Sequence, residues 1–311
     1  KWKREVSLII IKGTGGKAFC SGGDVRAAFE AAKLNDPSAH DFFRGIYGIA
    51  NTVDTMKIPY IAFIDGLTMG GGVGLSLQGT QRIATEKTIF SMPEVVIGWF
   101  TDVGASHFLP RLPHWLGTFY GLTGHRLTGL DVLKGGIATH YCESSKLPSV
   151  EKDLLNITDP KLITEMLDDY TESCLKNTNH EFSLQCHLEK IEKKFSKNSI
   201  EEIFEALRMD GSAWCLKQLK IMKKMSPTSL KVIHRMILEG QKLTLQECLN
   251  MEMGICYKFL EERGDFYEGT RAVLVDKDFK PRWYPSTVYK VSKEKVDKYF
   301  EPLSPAFRLK F

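Results

Sequence analysis

The stretch PYIAFIDGLTMGGGVGLSLQGTQRIATE, Pro59 to Glu86, decides the fold class. Pro59 to Asp65 reads as a buried strand. A glycine run follows, then helix-compatible VGLSLQ, then a second strand at RIATE. The same grammar stands upstream. Leu8 to Ile11 reads as a buried strand closed by GTGG, and Asp24 to Lys33 as a helix with an acidic start. HDFFRGIYGIANTVDTM reads as a longer helix, which Gly45 and Gly48 weaken. Repeated strand–turn–helix units of this kind predict an α/β sheet.

Past residue 150 the texture turns helical and charged. PKLITEMLDDYTESCL has apolar residues at helical spacing, and NSIEEIFEALRMD opens on an Asn or Ser cap. SPTSLKVIHRMILEG has Ser226 as cap, Pro227 in the first turn and Gly240 at the stop. TLQECLNMEMGICYKFLEE starts with a T-x-x-E capping box, Thr244 to Glu247. The expected organisation is an α/β region over 1–145 and a helical region over 146–311.

The chain has 311 residues, 43% hydrophobic and 26% charged, so a packed core is expected. A net charge of +4 suits an anionic ligand but is far from the dense basic surface of a nucleic-acid binder. The Lys-rich stretches EKIEKKFSK and KQLKIMKKM read as solvated helix faces. The seven cysteines are odd in number and form no C-x-x-C pair, which points to free thiols. His180, Cys186 and His187 are the nearest approach to a metal cluster, and their spacing fits no common zinc pattern. No apolar run approaches the ~20 residues that span a bilayer, so no membrane partner is expected. The chain opens at Lys1, which suggests a removed leader or a start inside a domain.

Two glycine turns carry chemistry. KAFCSGGDV, Lys17 to Val25, leaves a short strand and enters a helix; DGLTMGGGVGLS, Asp65 to Ser76, does the same. Glycine lets backbone N–H groups approach a ligand, and a helix start adds unpaired donors. Two such turns facing one point would make an oxyanion hole; alternatively they are tight turns in close-packed units. No G-K-[ST] follows either, so neither is a P-loop. FSMPEVVIGWFTDVGAS, Phe90 to Ser106, then sets two acids, Glu94 and Asp102, among apolar residues where charge is costly to bury. Read alone, Glu94 could end a helix or pair with a cation, and Asp102 could cap a helix starting near Val103.

In this order and at these separations, KAFCSGGDV, MGGGVGLS, FSMPEVVIGWFTDVGAS and DFYEGTRAVLVDKD (Asp265 to Asp278) resemble the crotonase superfamily, whose members act on acyl-CoA thioesters. MSPTSLK, Met225 to Lys231, resembles its hydrolase branch. The resemblance runs from about Leu8 to the C-terminus. It implies a spiral core of ββα units followed by a helical C-terminal region. It implies that the backbone N–H groups of Cys20 and Gly71 hold the thioester oxygen. Glu94 would attack the carbonyl or activate water, and Asp102 would orient or exchange protons with that water. The implied reaction is hydrolysis of a short-chain 3-hydroxyacyl-CoA, 3-hydroxyisobutyryl-CoA in valine breakdown, in the mitochondrial matrix. No cofactor is implied, since CoA is part of the substrate. Homo-oligomerisation is left open.

Several positions depart from the pattern or narrow it. The hydratase branch has a glutamate at the position of Gly74, and its absence argues against hydration. Ile46 stands where the hydrolase branch has an acid that contacts substrate, so the acyl preference is open. Thr101 replaces a proline before Asp102, which would loosen that loop. The resemblance also implies that the family's first strands precede Lys1. Two alternatives therefore remain: another crotonase activity such as isomerase or hydratase, and a catalytically weak acyl-CoA-binding or scaffold protein.

Overall fold

The structure, a computed structural model, describes residues 6–176 and 178–311. Its chain forms two compact units that interleave along the sequence. Among the described residues the first comprises 6–22, 49–91, 126–176 and 178–186; the second comprises 23–48, 92–125 and 187–311.

Among the described residues the first unit holds eight strands, in two four-stranded sheets. One contains β1 (Ile9–Lys12), β3 (Tyr60–Ile64), β5 (Gln81–Ala84) and β8 (His140–Tyr141), in that order and all parallel. The other contains β2 (Ala18–Cys20), β4 (Leu67–Met69), β6 (Ile89–Ser91) and β7 (Leu127–Thr128), of which only the β6–β7 pair is antiparallel. From β1 to β6, successive strands alternate between the two sheets. All five residues of β3 are buried, as expected of a strand with neighbours on both edges and covered faces. Ile61, Phe63 and Ile83 pack against Val150, Leu154, Ile163 and Leu167 from the helices Leu147–Asn156 and Ile163–Leu175. This is where the organisation differs from the expected boundary at 145. Strands do end at Tyr141, but the first helices beyond them are needed to cover a parallel sheet and belong to its unit.

The second unit is helical. Helix α1 (Val25–Lys33) is capped by Asp24, whose carboxylate accepts the Ala27 N–H at 2.9 Å. Ser226 caps the helix Pro227–Gly240, and the Thr244–Glu247 capping box opens the helix Leu245–Glu262 in both directions. An aromatic cluster fills the interior. Phe43 stacks on Trp99 at 4.9 Å, Trp99 meets Phe266 at 4.5 Å, and Phe100 stacks on Phe259 at 5.5 Å. The longer front helix is α2 (Ser38–Asp54); it continues through Gly45 and Gly48 despite their poor propensity.

All seven cysteines are free. Among the described residues no helix is long and apolar enough to cross a membrane. His180 Nε2 lies 2.7 Å from Asp131, and His187 stacks on Trp214.

Candidate active site

In the first unit the two glycine turns meet. Strand β2 ends at Cys20, and β4 runs parallel beside it into helix α3 (Gly71–Leu77). A Cβ on Gly72 would stand 2.1 Å from the Cys20 carbonyl oxygen, so only glycine permits this approach. Gly22, with φ +116°, faces the Met69 carbonyl and the Gly71 nitrogen at 3.5 and 3.9 Å measured from an ideal Cβ. Cys20 and Gly71, 51 positions apart in the sequence, are thereby neighbours. Gly71 is the first residue of α3, where the backbone N–H has no partner within the helix. The Cys20 thiol points to the Gly22 carbonyl at 3.8 Å. Gly74 is buried in α3.

The second unit brings Glu94 and Asp102 together. Glu94 begins a 3₁₀ turn, Glu94–Ile97, which Gly98 closes in the left-handed region with φ +70°. Motif meets motif here. A Cβ on Gly98 would lie 2.1 Å from the Asp265 carbonyl oxygen, and one on Gly269 would lie 2.3 Å from Ile97. The DFYEGT segment is thus a backing plate for the turn that carries Glu94. Ser226 locks the same assembly, donating its hydroxyl to Asp265 at 2.6 Å and its N–H to the Val95 carbonyl at 3.4 Å.

Both acids are only 6% exposed. Burial, then the nearby charge of Asp102, pushes Glu94 well above the usual carboxylate range. Its Oε2 is buried with no hydrogen-bond partner among the described residues. Asp102 is pushed up to about 6 by burial, against hydrogen bonds from Tyr47 and Trp99 that pull it down. The Tyr47 hydroxyl donates to Asp102 Oδ2 at 3.0 Å.

The helix after Asp102 starts at Ala105, two residues past Val103, and no side chain of its own segment caps it. Val103 (φ +58°) and Gly104 (φ +86°) take left-handed conformations instead. A β-branched residue there is strained. Asp102 is therefore no helix cap: its side chain turns to Tyr47 and Trp99.

Ile46 offers no acid. Its Cδ1 is 3.4 Å from an ideal Cβ on Gly23, beside Phe42. Thr101 is fully buried, and its hydroxyl lacks a partner among the described residues.

Sequence reading missed three contributors: Tyr47, Trp99 and Glu252. Tyr47 follows Phe43 at helical spacing and looks like one more core aromatic. Glu252 had a usable signal, since it falls between Leu249 and Met253 on the buried face of its helix.

The sequence profile of the enoyl-CoA hydratase/isomerase family matches residues 1–300. The chain is 51% identical over 301 residues to the mitochondrial 3-hydroxyisobutyryl-CoA hydrolase of Gallus gallus, covering 96% of this chain and 78% of that protein. It is 48% identical over 307 residues to the Homo sapiens protein of the same name, covering 97% of this chain and 79% of the other. Among solved structures it resembles a carnitinyl-CoA dehydratase from Mycobacterium thermoresistibile, with a TM-score of 0.86 and 28% identity over 100% of this chain and 87% of that one. An enoyl-CoA hydratase from Rhodobacter sphaeroides 2.4.1 is similar to the same degree, with a TM-score of 0.86 and 29% identity over 100% of this chain and 88% of that one.

Proposed function

The chain belongs to the enoyl-CoA hydratase/isomerase family, and we propose that within it the protein is an acyl-CoA thioester hydrolase acting on 3-hydroxyisobutyryl-CoA. The products are 3-hydroxyisobutyrate and CoA, a step of valine breakdown. Relatives named mitochondrial support the mitochondrial matrix as its compartment.

The observation that carries the chemistry is the buried Oε2 of Glu94, without a partner among the described residues and beside a second carboxylate. A buried acceptor left open is costly, and such groups concentrate where a ligand completes them. Ionised Glu94 attacks the thioester carbonyl carbon. The carbonyl oxygen becomes an oxyanion, for which the amides of Cys20 and Gly71 serve as donors. The C–S bond breaks, and the CoA thiolate leaves and takes a proton from solvent. The acyl group remains as an anhydride on Glu94. Water then attacks the acyl carbon, its proton passes to Asp102, and the acid departs from Glu94. Asp102 returns the proton to solvent, so each cycle consumes one water. Gly74 carries no second acid for hydrating a double bond.

A thiol-release assay over a panel of short acyl-CoAs tests this. Expected is turnover of 3-hydroxyisobutyryl-CoA, with Glu94→Gln and Asp102→Asn lowering kcat about 100-fold or more while CoA binding changes little. CoA binding without turnover by the unaltered chain would refute the hydrolase reading.

A further inference from the structure

Glu252 lies at the centre of the buried face of the helix Leu245–Glu262 and is 0% exposed. What faces it is a set of donors from the segment just after Asp102. The Gly104 N–H donates to Oε2 at 2.8 Å, while the Ser106 N–H and hydroxyl donate to Oε1 at 2.9 and 2.6 Å. Gly104 is the N-cap residue of the helix Ala105–Phe108, and that helix has no side-chain cap of its own. Glu252 supplies the missing cap from a helix nearly 150 residues further along the chain.

The reason lies between the two anchor points. Asp102 is held on one side by Tyr47 at 3.0 Å. Then come Val103 and Gly104, both left-handed. A Val in that region is strained and persists only when its surroundings over-determine it. Ser106 is pinned further by the helix Pro227–Gly240, where a Cβ on Gly240 would stand 1.9 Å from the Ser106 carbonyl oxygen. Tyr47 fixes the near end of the strained turn, and Glu252 fixes the far end.

We infer that Glu252 is a positioning residue for the hydrolysis: by holding Gly104 and Ser106 it keeps the Val103 turn left-handed and so aims the Asp102 carboxylate at the reacting water. This rests on the hydrolase reading. In this arrangement Glu252 acts through Asp102, by way of Gly104 and Ser106.

The test is a double-mutant cycle read by thiol release from 3-hydroxyisobutyryl-CoA. Glu252→Met keeps the volume and removes the acceptors. It should lower kcat about 10- to 100-fold with KM little changed, since a misplacement near 1 Å costs that much. In an Asp102→Asn background the same substitution should cost almost nothing more. Glu252→Gln, which keeps one acceptor oxygen for Ser106, should recover most of the loss. A folded Glu252→Met protein with unaltered kcat would overturn the inference, as would losses that simply multiply with those of Asp102→Asn. If Glu252→Met does not fold, Ser106→Ala takes its place. It should lower kcat about 3- to 10-fold, and only while Asp102 is present; full activity in Ser106→Ala would be equally fatal. An unaltered chain that releases no CoA would instead refute the hydrolase reading and carry this inference down with it.

Discussion

The Tyr47 hydroxyl donates to Asp102 Oδ2 at 3.0 Å across 55 positions of sequence, inside a pocket of aromatic side chains. Both residues are almost fully buried. The bond holds Asp102 at one angle and offsets part of the cost of burying its charge. Tyr47→Phe should therefore do two things. It should lower kcat about tenfold or more, the usual worth of a hydrogen bond to a charged group. It should also move the acid limb of the kcat–pH profile to higher pH, because a bond that favours the ionised form is gone. A pH–rate comparison of the two proteins measures both, and an unmoved limb would count against Tyr47 as the partner that matters.

In the proposed hydrolysis Asp102 must be ionised to take a proton from water. With its proton affinity raised to about 6, kcat should fall as pH drops through that value. Glu94 is coupled to it, so a single apparent limb belongs to the pair. Stability should run the other way. Glu252 binds its proton more tightly in the folded chain, up to about 8, than in the unfolded one. Its contribution is full below the unfolded value of about 4.3 and is lost as pH rises through about 8. Urea midpoints should therefore decline between pH 6 and pH 8.5, on the order of the window set by that shift, and Glu252→Gln should flatten the decline.

Much of the fold could be read because its signals are local. Asp24, Ser226 and the Thr244–Glu247 box cap helices through bonds to residues three positions on, and each was visible in sequence. The apolar run of β3 was equally plain. Strands β4, β6, β7 and β8 were not anticipated, since two or three residues carry no periodicity and take their register from a partner strand. The site divides in the same way. Glu94 and Asp102 stood out as acids among apolar neighbours. Tyr47 and Glu252 act on Asp102 or its turn from 55 and nearly 150 residues away, and only tertiary structure brings them in. The turn itself misled the alternative reading, because Val103 and Gly104 go left-handed and delay the helix to Ala105.

Thr101 buries a hydroxyl with no partner among the described residues. Removing such a group without changing shape should help. Thr101→Val is expected to stabilise the chain by about 1 kcal/mol in urea or thermal unfolding, with turnover retained. A destabilised Val variant would mean the hydroxyl has an unseen role in the loop.

Gly98 is the reverse case. Its φ of +70° and the Asp265 carbonyl oxygen 2.1 Å from an ideal Cβ leave no room for a side chain. Gly98→Ala should cost about 3 kcal/mol through strain and overpacking. It should also displace Glu94 and reduce turnover even where the protein remains folded. Calorimetry and thiol release on the same sample check the pair of effects, and normal turnover would break the proposed link between this turn and Glu94.

In the proposed hydrolysis the open carboxylate oxygen of Glu94 bonds to the acyl carbon. Rapid quenching of a single turnover of 3-hydroxyisobutyryl-CoA into hydroxylamine, followed by mass spectrometry of the peptide containing Glu94, tests it directly. The expected product is a Glu94 hydroxamate that appears together with released CoA and is absent from Glu94→Gln. CoA release at the same rate with Glu94 never modified, and persisting in Glu94→Gln, would contradict it.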